Sequence, residues 1–260
     1  MKPLDSALLF GAGVPVLAAI VFMAARKGAF SCDAFPSAFR RRAALTLLFL
    51  CLLVTVLLPA AGMGRTPDIS RLQFGQVFAV QAVLATFLLG WWLLAGRPPV
   101  SEFLALRSAA PLAEAGVGVS LGLIGWALTL LVGVGTALFL SFFGFDGARA
   151  VPPLVKWIAA LPPLQRGLIV LSAMTVEEFY FRAFLQRRLG AVPASILFLL
   201  GHAGYGEPLF FVGLLAITTV LASAFRKTGS VWAPILAHGT FDAVQLFIVL
   251  PAVLKFLGER

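Results

Sequence analysis

Charge is what this 260-residue chain has least of. Asp, Glu, Lys and Arg make up only 12% of it, against about 25% in an ordinary soluble domain. Hydrophobic residues make up 60%, and the mean hydropathy is +1.00. No soluble core hides that much apolar surface, so the solvent around the chain is lipid. Cysteine is scarce too: Cys32 and Cys51 define neither a disulfide framework nor a metal cluster. No GxSxG elbow surrounds a serine and no HExxH zincin pattern occurs, which removes the signatures of serine and zinc hydrolysis. There is no internal repeat, no inverted half and no low-complexity tail, which argues against a transporter built from repeats. Histidine occurs twice, as His202 and His238.

Positive charge is in excess, at +9 with a pI of about 10.6. In a soluble protein this balance raises nucleic-acid binding. Here Arg and Lys sit in short connections between apolar runs, where they set membrane orientation, so no nucleic-acid partner is expected. The partner is the bilayer.

The apolar runs lie at about 8–25, 43–63, 74–96, 117–143, 167–186, 192–205, 209–225 and 231–257. A span in lipid has to satisfy its own backbone hydrogen bonds, so each is read as a helix. The expected fold class is all-α, a polytopic transmembrane helix bundle of about eight membrane helices. Lys2 and the run that follows imitate a signal peptide, but Arg26-Lys27 ends the run without a cleavage site, so a retained first span is expected. The separators hold the charges and breakers: Arg26-Lys27, Arg40 to Arg42, Arg65 to Arg71, Arg97-Pro98-Pro99, Asp146 to Arg149, Arg187-Arg188 and Arg226-Lys227. The 26–42 loop, with five Lys and Arg, is expected to face the cytoplasm, with loops near 97–115, 187–191 and 226–230 on the same side. Residues 98–115 are expected to form an interfacial helix, and 150–165 a short helix between Pro pairs. Glycines at 116, 118, 122, 125, 133 and 135 thin the fourth span and predict close helix packing. The whole reads as one membrane domain, with residues 1–150 as scaffold helices and 151–260 carrying the chemistry.

Ionisable residues inside a membrane are costly, so they are functional candidates by default. The first four runs contain essentially none. The later ones contain Glu177, Glu178, Arg182, His202, His238 and Asp242, including both histidines of the chain. Glu178 and Arg182 are four apart and share a helix face, with the acid first as a pair prefers. Glu177 projects about 100° away, an unpaired carboxylate with different neighbours. A carboxylate in apolar surroundings suits general-base work, and two adjacent carboxylates in different settings suggest two roles. His238 and Asp242 are also four apart, so the acid can orient the ring, or the two can serve an oxyanion. A structural salt bridge and helix–helix glue explain single members of this set, but not six ionisable groups gathered on the last spans.

Three motifs carry a family resemblance. EEFYFR (Glu177 to Arg182) fits Glu-Glu-x-x-x-Arg, FLLGH (Phe198 to His202) fits Phe-x-x-x-His, and HGTFD (His238 to Asp242) fits His-x-x-x-Asn/Asp. Together, over about residues 165–250, they resemble the CAAX-protease and bacteriocin-processing (Abi) family of intramembrane endopeptidases. The resemblance implies an eight-helix, glutamate-dependent endopeptidase without a cofactor. In it Glu177 is the water-activating base helped by His202, Glu178 and Arg182 are a supporting pair, and His238 and Asp242 take the oxyanion-stabilising place. An ionised Asp cannot donate to an oxyanion, so Asp242 would be protonated or act through His238. The implied substrate is a membrane-associated protein or peptide. Arg outnumbers Lys and Ala is abundant, which points to a GC-rich bacterium, its inner membrane, and a bacterial peptide or C-terminal anchor as substrate. Two alternatives stand beside this reading. One is a zinc-dependent membrane metalloprotease built on the same Glu and His residues. The other is a non-catalytic scaffold or immunity protein.

Overall fold

The computed structural model describes residues 6–63, 68–144, 151–205 and 208–256. The separator residues Arg65 and Asp146 to Arg149, and the last residue of the final expected span at 257, lie outside the described residues. All regular structure among the described residues is helical. Helix α1 is Ser6–Arg26, α2 Ala38–Ala61, α3 Phe74–Leu94, α4 the single turn Val100–Phe103, and α5 the 32-residue Pro111–Phe142. Helix α6 is Pro153–Ala160, α7 runs unbroken over 163–189, α8 is Ala191–Gly201, α9 Pro208–Thr228 and α10 Trp232–Phe256.

Six of these, α1, α2, α3, α5, α9 and α10, are long and apolar enough to cross a membrane. The chain is a multi-pass membrane protein. The other two expected spans are helices of a different kind. Helix α7 carries Arg166, the Glu pair, Arg182 and Arg187-Arg188, too much charge for a simple span, and α8 is short. Both pack one side on neighbouring helices and leave apolar side chains exposed on the other: Leu164, Leu168 and Leu171 on α7, Val192 and Ile196 on α8.

Proline and glycine shape the long helices. Pro59 and Pro251 each lack an N–H and crowd the carbonyl four residues back. The backbone absorbs this by widening to π-helix over Leu53–Leu57 and Gln245–Val249, just ahead of each proline. The interfacial helix expected over 98–115 is not there. One turn forms at Val100–Phe103, Ala105 enters the left-handed region at φ 52 and breaks it, and Pro111 starts α5 as a first-turn residue. The short helix expected between Pro pairs is present as α6.

The glycine stripe of α5 divides by depth. A Cβ on Gly118 would sit 2.6 Å from the Ala233 carbonyl oxygen, and one on Gly122 2.5 Å from that of Ala237. These glycines seat α10 against α5 at backbone contact. Gly116, Gly133 and Gly135 have open space where a Cβ would go.

A second anchor is aromatic. Gln81, Leu84, Leu88 and Trp91 recur along one face of α3 at helical spacing, with Phe87 beside them. Phe87 packs on Tyr180 and Phe184 of α7 at ring separations of 5.3 and 4.9 Å, and Trp91 on Phe184 at 4.8 Å. Beyond this cluster, the Arg188 guanidinium lies 4.1 Å from the Phe184 ring centroid and pairs with Asp33 at 2.5 and 2.8 Å, with both side chains almost fully buried. Asp33 precedes α2 and Arg188 ends α7, so those connections share one end of the bundle. Residues 102–106 join them there: the Glu102 carbonyl accepts from Arg187 Nη1, and the Ala105 and Leu106 carbonyls accept from the Val231 backbone and the Trp232 indole, which brings in the connection before α10. The four Arg-rich connections expected on one side of the membrane therefore do meet at one end.

Candidate active site

The unpaired position and the paired one sit side by side on α7, and the helix sends them to different neighbours. Beyond Glu178 the backbone widens to π-helix over Phe179–Gln186, a distortion that favours functional sites. Glu178 and Arg182 are both 0% exposed. Arg182 Nε donates to Glu178 Oε2 at 3.1 Å, as the four-residue spacing requires. Arg182 Nη2 also donates to Thr218 Oγ1 of α9 at 2.9 Å, and the guanidinium lies 5.4 Å from the Phe198 ring centroid.

The second oxygen of Glu178 is occupied too. His238 Nδ1 lies 2.9 Å from Glu178 Oε1, and on the other side of the ring His238 Nε2 lies 3.4 Å from Asp242 Oδ2. His238 thus has a carboxylate at each nitrogen. Asp242 orients it as the spacing on α10 suggests, and Glu178 does so more closely, a contact across 60 residues that no motif announces.

Glu177 faces away from all this. Its Oε1 accepts from the Gln81 side-chain amide of α3 at 3.2 Å. Its Oε2 is buried without a hydrogen-bond partner and lies 3.9 Å from His202 Nε2. His202 ends α8, and its Nδ1 lies 2.8 Å from the Phe198 carbonyl oxygen one turn back. A carbonyl only accepts, so Nδ1 carries the proton. In the neutral ring Nε2 then offers its lone pair toward Glu177. The His202 ring packs on Phe198 and stacks on Tyr205, at 4.5 and 5.7 Å between centroids, which holds its plane.

All six candidates are therefore gathered in one place, and four of them line a cavity of about 430 Å³: Glu177, His202, His238 and Asp242. Glu178 and Arg182 lie behind it. The remaining wall is mostly apolar, with Gln76, Gln81 and Gln245 among its few polar residues. Leu72, Leu154 and Val155 also line it, so the cavity lies toward the connections before α3 and α6, away from the Arg-rich end. Sequence reasoning missed Gln81 and Thr218. Gln81 is legible in hindsight as one of two amides, with Gln76, in a span of mean hydropathy 2.0; Thr218 has no such signal, since hydroxyls on membrane helices commonly bond their own backbone.

Chemically, this arrangement can hold and polarise a water. A buried carboxylate with a free oxygen faces an imidazole lone pair across a water-sized gap, and a charged cluster stands beside it. Among the described residues, no group of three or more His, Cys, Asp or Glu side chains is placed to hold a metal ion together.

Residues 159–244 match the family model described as type II CAAX prenyl endopeptidase Rce1-like, a stretch that contains all six candidates. The chain is also similar to an uncharacterised protein, YpbD, of Bacillus subtilis (strain 168), with 36% identity over 69 residues. That match covers 26% of this chain and 36% of the relative, so the chain spans little more than a third of that relative's length. No solved structure matches the chain.

Proposed function

We propose that this chain, whose residues 159–244 carry the Rce1-like CAAX endopeptidase pattern, is an intramembrane peptidase of glutamate type. The observation that carries the reading is the gap between Glu177 Oε2 and His202 Nε2. At 3.9 Å it is too long for a direct hydrogen bond. One water about 2.8 Å from each atom spans it, donating to both.

The proposed reaction proceeds from that water. Its oxygen attacks the scissile carbonyl carbon while Glu177, with His202 beside it, takes the proton. The carbonyl π electrons move onto oxygen, and the resulting oxyanion needs a donor. Asp242 as a carboxylate has none to give, so the donor is His238 Nε2–H, shared with Asp242 in the resting site. Collapse of the intermediate expels the amine, which takes the proton held by Glu177. Glu178 and Arg182 hold His238 in register from behind and do not touch the reacting atoms. An apolar cavity among helices suits a peptide tail anchored in the same bilayer, and a bacterial inner membrane is the proposed setting.

The test uses the purified full chain in detergent with an internally quenched fluorescent peptide that carries a prenylated cysteine near its C-terminus, and an apolar-tailed peptide without the lipid beside it. Glu177→Gln removes the proton acceptor and keeps the size. Cleavage is expected to fall by about 100-fold or more with unchanged melting, and a Gln form as active as wild type refutes the assignment. A strong chelator is expected to leave the wild-type rate intact. One equivalent of zinc per chain, with activity tracking its removal and return, would instead place the chemistry with a metal-bound hydroxide.

A further inference from the structure

Glu177 is held on one side only, and the group that holds it comes from outside the matched segment. Gln81 lies on α3, whose stretch Ala79–Leu94 is otherwise apolar apart from Thr86 and two tryptophans. An amide in that setting is costly unless it is used. Its Nε2 donates to Glu177 Oε1 at 3.2 Å, and its own Oε1 is buried without a partner beside the cavity. We infer that Gln81 is a positioning residue for the base: it fixes one oxygen of the carboxylate so that the other faces His202. This rests on the reading of Glu177 as the base and adds its support.

The chemistry of the two neighbouring carboxylates explains why an amide does this job. Glu178 is tied by Arg182 and His238, both able to bring positive charge, and so is a structural anion. A cation at Gln81 would tie Glu177 in the same way. A neutral donor orients the carboxylate without adding a compensating charge, and leaves it free to take a proton from water. The α3–α7 aromatic cluster sets the amide's position, since Phe87 and Trp91 on the same helix are locked against Tyr180 and Phe184.

The experiment replaces Gln81 by Met, which matches its length and cannot donate. Two readouts are taken on the purified full chain. The first is the infrared band of the Glu177 carboxylate in protein with carboxyl-labelled glutamate, identified as the band lost in Glu177→Gln; only 11 acidic residues occur in the chain. The second is kcat and KM on the quenched prenylated peptide. Expected are a shifted Glu177 band and a kcat lower by about 10- to 100-fold, with KM and melting close to wild type. Gln81→Asn, with its amide one methylene further back, is expected to recover part of the kcat lost in the Met form. An unmoved band overturns the inference, as does a loss confined to KM or to folding, or an Asn form no better than Met. The functional reading fails separately, if Glu177→Gln cleaves at the wild-type rate.

Discussion

Arg182→Ala is expected to unfold the protein more readily than any substitution at Glu177, and the structure sets the size of the effect. The guanidinium is fully buried, bonds Glu178 at 3.1 Å and Thr218 at 2.9 Å, and rests on Phe198. Truncation strands Glu178, itself 0% exposed, as a buried carboxylate. Breaking such a pair from one side costs about 3–5 kcal/mol. His238 still reaches Glu178, which holds the loss to the lower part of that range. The ring contact adds about 0.5–2 kcal/mol. Glu177→Ala removes one hydrogen bond, from Gln81, and leaves no charge unpaired, so its cost is about 1 kcal/mol. At roughly 2–4 °C per kcal/mol for a chain of this size, the sum of about 3.5–5 kcal/mol puts Arg182→Ala about 7–20 °C below wild type in detergent, and Glu177→Ala within a few degrees. The double variant Glu178→Gln/Arg182→Met removes both charges together and should recover much of the loss, because the pair as a whole contributes little net stability. Melting of Arg182→Ala level with Glu177→Ala would refute the buried pair.

Asp242→Asn should remain active on the quenched peptide, since the Asn carbonyl still accepts from His238 Nε2–H and its amide adds a donor that the carboxylate lacks; loss of activity as deep as in Glu177→Gln would show that the carboxylate itself is required and count against His238 as the oxyanion donor. His202→Ala should be inactive while melting near wild type, and a catalytically competent alanine form would remove His202 from the water site. Gly122→Ala drives a Cβ to 2.5 Å from the Ala237 oxygen, next to His238, and should cost about 1–3 kcal/mol with a drop in kcat. Gly133→Ala meets open space and should melt like wild type or slightly above it, so equal effects at the two glycines would deny the backbone contact between α5 and α10.

Much of the site was legible before any fold was known, for one reason. Lipid makes an ionisable side chain so costly that each one present is a functional candidate, and six of them fall on the last apolar runs. Helical spacing carried the reading further. It put Glu178 with Arg182 and His238 with Asp242, and it turned Glu177 away from both. The same spacing flagged the α5 glycines as a packing stripe, though only part of that stripe is pressed. Where local signals were mixed, the reading slipped. The 98–115 segment has the composition of an interfacial helix, but its helix ends after one turn, where a left-handed Ala105 redirects the chain.

What the sequence by itself determined, then, is the solvent, the helical class and the membership of the polar cluster, because burial cost and helix period act on neighbours along the chain. Which partner each group takes was decided only by tertiary structure. Glu178 meets His238 across 60 residues, Gln81 meets Glu177 across 96, and Arg188 meets Asp33 across 155. Contacts of that range depend on how helices are brought together, through the aromatic lock of α3 on α7 and the glycine seat of α10 on α5. No local pattern encodes the pairing, since any buried carboxylate would have accepted any of these donors.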